Sequence, residues 1–302
     1  YTAVDGIDEL KQAVIDKFEK DNNLSYEKKN ISVAPGGKSI IYNAILSTIN
    51  PGDEVIIPAP FWVSYPDIVK LAGGKPVIIK TSSENNFKIS ANQLEKSITD
   101  KTKWLFINSP SNPTGQVYSK SELTEIIKVL KKYKNVYILS DDIYEYIRYK
   151  DHDKFYTVAE LDEEIFSRTI TMNGVSKAYS MTGWRIGYCG GPEEIINAMR
   201  KLMGQSTSNP SSISQWASVE ALNGSKDFLQ NWIPSFKKRR NYIVDYLNNC
   251  DGIECLNPEG AFYVYPSCAG IIGKKFKDKV ITSDKDFAMI LLKEKLVSVV
   301  HG

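Results

Sequence analysis

Histidine and paired cysteine are scarce in this chain of 302 residues: only His152 and His301 occur, and Cys189, Cys250, Cys255 and Cys268 form no CxxC spacing. A zinc site and a Ser-His-Asp hydrolytic centre are therefore poorly supplied, and chemistry, if present, must use other groups. No metal is expected. Long hydrophobic runs are missing too. No stretch reaches the roughly 18 apolar residues of a membrane helix, and no signal-peptide pattern opens the chain, so a cytoplasmic protein with reduced, mostly buried thiols is expected. Nor is there an excess of one charge. Lys and Arg number 38 against 36 Asp and Glu, a net of +2, with no basic tail to track a phosphate backbone or anionic lipid. Neither nucleic acid nor membrane is expected as a partner, and no internal repeat or low-complexity segment is visible.

Hydrophobic residues make up 42% of the chain, enough to bury a sizeable core. They gather in short β-branched runs: ISV (31–33), EVIIP (54–58), PVIIK (76–80), WLFIN (104–108), VYILS (136–140), TITM (169–172) and RIGYC (185–189). Between most of these runs lie stretches of helical period, such as Ile40, Ala44, Ile45 and Thr48, or Leu123, Ile126, Ile127 and Leu130. This alternation predicts an α/β fold with a mostly parallel central sheet wrapped by helices. The opening stripe Ile7, Leu10, Val14 and Phe18 predicts a core-facing helix. After about residue 225 the pattern changes to a long charged helix around FKKRRNYIVDYL, followed by GIECL and GAFYVYP, which read as a pair of short strands. The expected division is a large domain over 1–228 and a smaller, incomplete α/β domain over 229–302. Both chain ends, Tyr1 and the segment after VSVV, read as trimmed.

Ligands of open parallel sheets gather at the carboxyl ends of the strands, so each polar residue there has a functional reading beside a plain structural one. Lys177, in NGVSKAYSMTGWRIGY, follows a β-branched run, with Ser176, Ser180 and Thr182 nearby and Arg185 eight positions on. A lone lysine at a strand end is ordinarily solvated. Here a fixed cation beside it would depress its pKa and hold a phosphate, and a lysine so placed can form a Schiff base. Asp141 closes VYILSD, where an Asp is most simply a cap; buried at the end of a central strand it needs a cation or donor, which a protonated pyridine nitrogen would supply. Gly36-Gly37-Lys38-Ser39 leads from a strand into a helix and makes an anion site, or a plain turn with a solvated lysine. It is no nucleotide P-loop, because Ser32 stands where that motif requires glycine. Trp62, among Pro58, Pro60 and Pro66, is either a core aromatic or a ring that stacks on a planar ligand. Asn112, before Pro113, is a turn former or an amide donor to a phenolate.

Taken in order, GGKSI, PAPFWVSYP, NSPSNPTG, SDDIYE, NGVSKAYSMTGWRIGY and GAFY resemble the class I aminotransferases, pyridoxal-phosphate enzymes of the aspartate aminotransferase fold. The resemblance spans essentially the whole chain. It implies that Lys177 forms the covalent link to pyridoxal 5'-phosphate and later moves the substrate's proton. It further implies that Arg185 binds the phosphate, with Gly37 and Lys38 in the loop beside it, and that Asp141 pairs with the ring nitrogen. Tyr144 and Asn112 would donate to the phenolic oxygen, and Trp62 would stack on the ring and, with Asn112, face the substrate. Tyr1 resembles a tyrosine that reaches the neighbouring subunit's phosphate, which implies a homodimer with shared active sites.

The expected reaction is transamination between a dicarboxylic amino acid, aspartate or glutamate, and a 2-oxo acid. In one branch of the family a Gly-Gly-Lys lysine takes the distal carboxylate, and Lys38 matches it. Other readings are a pyridoxal-phosphate lyase, an aromatic or prephenate aminotransferase, and a non-catalytic ligand-binding domain of a regulator. Two features depart from the pattern. Gly174 stands where many members have a serine that touches the phosphate, a contact either lost here or supplied by Ser176. The family's arginine for the α-carboxylate and its glycine loop over the substrate are expected after residue 302 and before Tyr1.

Overall fold

The structure is a computed structural model that describes residues 1–150 and 154–302; His152 lies outside the described residues. Seven of the β-branched runs assemble into one sheet: β1 (Ile31–Ala34), β2 (Glu54–Ala59), β3 (Lys75–Lys80), β4 (Thr102–Asn108), β5 (Tyr137–Asp141), β6 (Thr169–Gly174) and β7 (Gly187–Gly190). Their order across the sheet is β1-β7-β6-β5-β4-β2-β3. The pairs β2 with β3, β2 with β4, β4 with β5 and β5 with β6 are parallel, whereas β7 runs antiparallel to both β6 and β1. The expected mostly parallel sheet is thus found.

The helices are α1 (Asp8–Asn22), α2 (Gly37–Leu46), α3 (Ser64–Leu71), α4 (Ala91–Ser97), α5 (Lys120–Leu130), α6 (Glu163–Phe166), α7 (Glu193–Gly204), α8 (Ser212–Asn223), α9 (Leu229–Asn248) and α10 (Asp284–Lys295). Local chemistry sets their limits. Ser119 accepts from the Glu122 N–H while the Glu122 carboxylate accepts from the Ser119 N–H, which starts α5. Asn23, in the left-handed conformation, ends α1; its N–H donates to the Glu19 carbonyl and the Leu24 N–H donates to that of Phe18. Leu10, Val14 and Phe18 are fully buried on the stripe that the spacing predicted.

Because side chains alternate along a strand, β4 feeds two cores. Trp104 and Phe106 pack with Ile40, Ile57 and Met199 on one face, and Leu105 and Ile107 with Leu123 and Ile127 on the other. Parallel pairing in register brings the carboxyl ends of β4, β5 and β6 to one edge. Asn108 is paired with Asp141, and Asp141 with Met172.

Beyond α9 the expectation needs correction. GIECL and GAFYVYP do not pair as strands; each makes one isolated bridge, Glu254 with Ser267 and Gly260 with Arg148. The two-stranded sheet of this region is instead β8 (Lys275–Phe276) with β9 (Lys279–Val280). The reason is that Glu259 to Ala261 spend their backbone groups elsewhere. The Glu259 and Gly260 N–H groups donate to the Gly115 carbonyl at 2.9 and 2.7 Å, and the Ala261 N–H donates to that of Ile147 at 2.8 Å. Ala261 itself has φ +57°, which breaks the extended run. Among the described residues no helix is long and apolar enough to cross a membrane.

Candidate active site

A cavity of about 290 Å³ opens at the shared carboxyl edge of the sheet, and Gly37, Lys38, Trp62, Asn112, Asp141, Tyr144, Lys177 and Arg185 all line it. Eight of the nine residues singled out from the sequence thus converge, from segments as distant as the start of α2 and the stretch after β6. Tyr1 does not; it stands fully exposed, outside the cavity.

Asp141 forms the floor, buried at the last position of β5. Tyr65, on α3, donates its hydroxyl to Asp141 Oδ2 at 2.5 Å, and the Ile143 N–H donates to Oδ1 at 3.3 Å. Burial still pushes the carboxyl up to about 6, against the pull of these two donors and of the Lys177 charge. A cation above the floor would restore the carboxylate. The same burial, with the Asp141 charge beside it, holds the Tyr65 phenol well above its ordinary value.

Lys177 follows β6 and is half-buried, its Nζ 5.7 Å from the Tyr144 ring centroid and 5.5 Å from that of Phe262. Burial, and then the Arg185 charge, lower its pKa from the ordinary lysine value, while Asp141 acts in the opposite sense. A larger share of neutral amine, able to attack a carbonyl or take up a proton, follows.

At the other end of the cavity the chain is arranged around glycines. Gly36 caps α2 with φ +92°, and a Cβ there would lie 2.2 Å from Arg185 Nη2, so the guanidinium rests directly on this turn. Arg185, itself left-handed at φ +56°, donates from Nη1 to the Thr182 carbonyl at 2.9 Å. A Cβ on Gly187 would lie 2.3 Å from the Gly37 nitrogen, so only glycine lets α2 begin this close to β7. The start of α2 at Gly37 and Lys38, together with Arg185, Ser176 and Thr182, makes a cradle for a dianion. Gly174 has a packing reason: a Cβ there would lie 2.9 Å from the Ile186 carbonyl oxygen. Ser176, two residues on, lines the cavity.

Trp62 is half-buried and meets Tyr65 edge to face at 5.5 Å, with Lys38 Nζ 4.9 Å from its ring centroid. It is thus part core aromatic and part cavity wall. Asn112 hangs from a short relay in which its N–H donates to Asn108 Oδ1 at 2.7 Å and Asn108 Nδ2 donates to the Asp141 carbonyl at 2.8 Å. Tyr144 shares a 2.6 Å hydrogen bond with Tyr263, which comes from the GAFY segment. Tyr65 and Tyr263 were not singled out from the sequence. The three-residue step from Trp62 at the opening of α3 was a usable signal for Tyr65, whereas nothing local marks Tyr263.

A buried acid needing a cation, an amine of lowered pKa, a dianion cradle and an aromatic wall around one cavity fit the pyridine nitrogen, aldehyde, phosphate and ring of pyridoxal phosphate. Comparison with known proteins agrees. Residues 1–302 match the family described as aminotransferase class I and II. The aspartate/prephenate aminotransferase of Cereibacter sphaeroides is 53% identical, with 100% of this chain and 76% of the relative covered. The crystal structure of the aspartate aminotransferase from Rhizobium meliloti superposes with a TM-score of 0.96 at 50% identity, covering 99% of this chain and 75% of that one. An aromatic aminotransferase from Pyrococcus horikoshii gives 0.92 at 35% identity, covering 100% and 78%. The chain therefore belongs to the class I and II aminotransferases, enzymes that move amino groups with pyridoxal phosphate. Within that family it lies in the aspartate aminotransferase branch.

Proposed function

We propose that this enzyme takes the amino group of aspartate or glutamate and passes it to a 2-oxo acid, with Lys177 as the residue that carries the cofactor and moves the proton. The observation that carries this reading is the convergence of Lys177, Asp141 and Arg185 on one cavity with Lys38 beside Trp62 in its wall. When bound, pyridoxal phosphate supplies a sink for the electron pair left at the substrate's Cα. Arg185, Ser176, Thr182 and the start of α2 would hold its phosphate, and the Asp141 carboxylate would keep a proton on its ring nitrogen. Tyr144 and Asn112 would donate to its phenolic oxygen, and Trp62 would cover its ring. Neutral Lys177 Nζ takes the proton from Cα and returns it, and its lowered pKa favours that role.

Lys38 is the proposed anchor for the substrate's distal carboxylate, a point charge free of any carboxylate partner in the salt bridges of the described residues. A second reading, an aromatic or prephenate acceptor, is favoured by the aromatic wall of Trp62 and Tyr263 and by the names of the relatives from C. sphaeroides and P. horikoshii. The same proposal includes a homodimer with Tyr1 reaching across, consistent with its full exposure here. It also includes a cofactor-binding domain over 1–228 with part of a smaller domain over 229–302, and a cytoplasmic location that suits four free thiols.

Three measurements test it. Borohydride reduction of the cofactor-loaded enzyme, followed by peptide mapping, is expected to find the cofactor's mass on Lys177; a label on Lys38 or Lys201 would overturn the assignment. Aspartate should convert the bound cofactor's absorption, and 2-oxoglutarate should restore it, a cycle that a lyase does not close. Lys38→Ala is expected to lower kcat/KM for aspartate and glutamate roughly 30- to 1000-fold while nearly sparing an aromatic donor. Equal losses on both donors would remove the specificity role.

A further inference from the structure

Tyr263 has no assigned role, yet it enters the cavity from outside the sheet and meets the residue that faces Lys177. Its hydroxyl lies 2.6 Å from that of Tyr144 and accepts from Asn112 Nδ2 at 3.5 Å. With the amide proton directed at the Tyr263 oxygen, the Tyr263 proton is free to go to Tyr144, and the Tyr144 proton is left to point into the cavity. A donor chain running from Asn112 through Tyr263 to Tyr144 satisfies both contacts. Each donor in such a chain polarises the next.

The segment that delivers Tyr263 is pinned. Besides the three bonds to the Gly115 and Ile147 carbonyls, the Tyr149 N–H donates to the Glu259 carbonyl at 2.9 Å, and the Tyr149 hydroxyl donates to that of Ala261. Left-handed Ala261, fully buried, then turns the chain so that Phe262 and Tyr263 both pack against the Tyr144 ring, at centroid distances of 5.4 and 5.7 Å. The surroundings over-determine this conformation, as backbone strain at a working site requires.

We propose that Tyr263 is a positioning residue that donates to Tyr144, aims the Tyr144 proton into the cavity and strengthens it as a donor to the cofactor's phenolic oxygen. This rests on the reading of Tyr144 given above. A proton shared between that oxygen and the nitrogen of Lys177 is held less tightly when Tyr144 also donates to the oxygen. Loss of the Tyr263 hydroxyl should therefore make that proton harder to remove.

The test is a pH titration of the visible absorption band of the cofactor-loaded enzyme. Tyr263→Phe is expected to raise the midpoint by roughly half a pH unit, less than Tyr144→Phe does, and the double variant should match Tyr144→Phe alone. A tyrosine fluorinated beside its hydroxyl at position 263, a stronger donor on the same ring, should lower the midpoint, which a packing defect cannot do. If Tyr144→Phe raises the midpoint while both changes at Tyr263 leave it at the wild-type value, Tyr263 has no such role. If Tyr144→Phe itself leaves the midpoint unmoved, the reading of Tyr144 fails first and takes this one with it.

Discussion

Asp141 is where burial and function oppose each other. In the cofactor-free protein its carboxyl is raised from 3.8 to about 6, so the folded state binds this proton more tightly than the unfolded chain does. Its stabilising contribution is thus present below the unfolded value and is lost as pH rises through about 6. The raised value corresponds to a loss on the order of a few kcal/mol at neutral pH. Cofactor-free Asp141→Asn is therefore expected to melt above wild type beyond pH 6 and to converge with it below about pH 4. Asp142, buried and pushed up to about 8, is common to both proteins and does not change the comparison. Parallel melting curves across that window would show that Asp141 is not raised. In the loaded enzyme the same substitution should cost more than ~100-fold in turnover, because the neutral amide cannot keep the ring nitrogen protonated.

At the scale of elements, α1 is joined to the segment after β5 by charge as well as by its apolar stripe. Lys17, buried on α1, pairs with the buried Glu145 and also donates to Asn22 Oδ1 at 2.5 Å, while Asn22 Nδ2 donates to Glu145 at 2.9 Å. Next to it Asp21 accepts from the Tyr146 hydroxyl and, at 2.8 Å, from Lys226 ahead of α9. These bonds hold the turn that carries Tyr144. Removing one partner of a buried pair leaves the other charge without compensation. Lys17→Met should thus cost about 3–5 kcal/mol in a denaturant titration, and Lys17→Met with Glu145→Leu should recover much of that loss. A single-variant cost below about 1 kcal/mol, the range of an exposed pair, would mean that water reaches this pair. The apolar stripe of α1 was legible in its spacing, but this pairing was not, since a lysine in a helix is ordinarily a solvated residue.

For the molecule as a whole, the proposed sharing of sites between subunits makes a distinct claim. Mixing Lys177→Ala chains with Tyr1→Phe chains should yield heterodimers with one site that has both an intact lysine and an intact tyrosine. Activity above that of either parent, once subunit exchange is verified, is the expected result. Activity no higher than the parents' would mean that Tyr1 does not act across the interface.

What the sequence determined by itself is the part governed by short-range rules. Alternating β-branched and helical segments pointed to a mostly parallel sheet, and its parallel strands align their carboxyl ends, which brings Asn108, Asp141 and Lys177 to one edge. The Lys177 to Arg185 spacing and the Gly36-Gly37-Lys38 turn were likewise readable, because each lies within one contiguous stretch. Tertiary structure alone decided the rest. GAFY left its expected strand because Gly115 and Ile147 offered it carbonyls. Tyr65 met Asp141 across 76 residues, and Tyr263 met Tyr144 across 119. Such contacts have no local period to reveal them, since they depend on which surfaces the packed sheet leaves within a hydroxyl's reach.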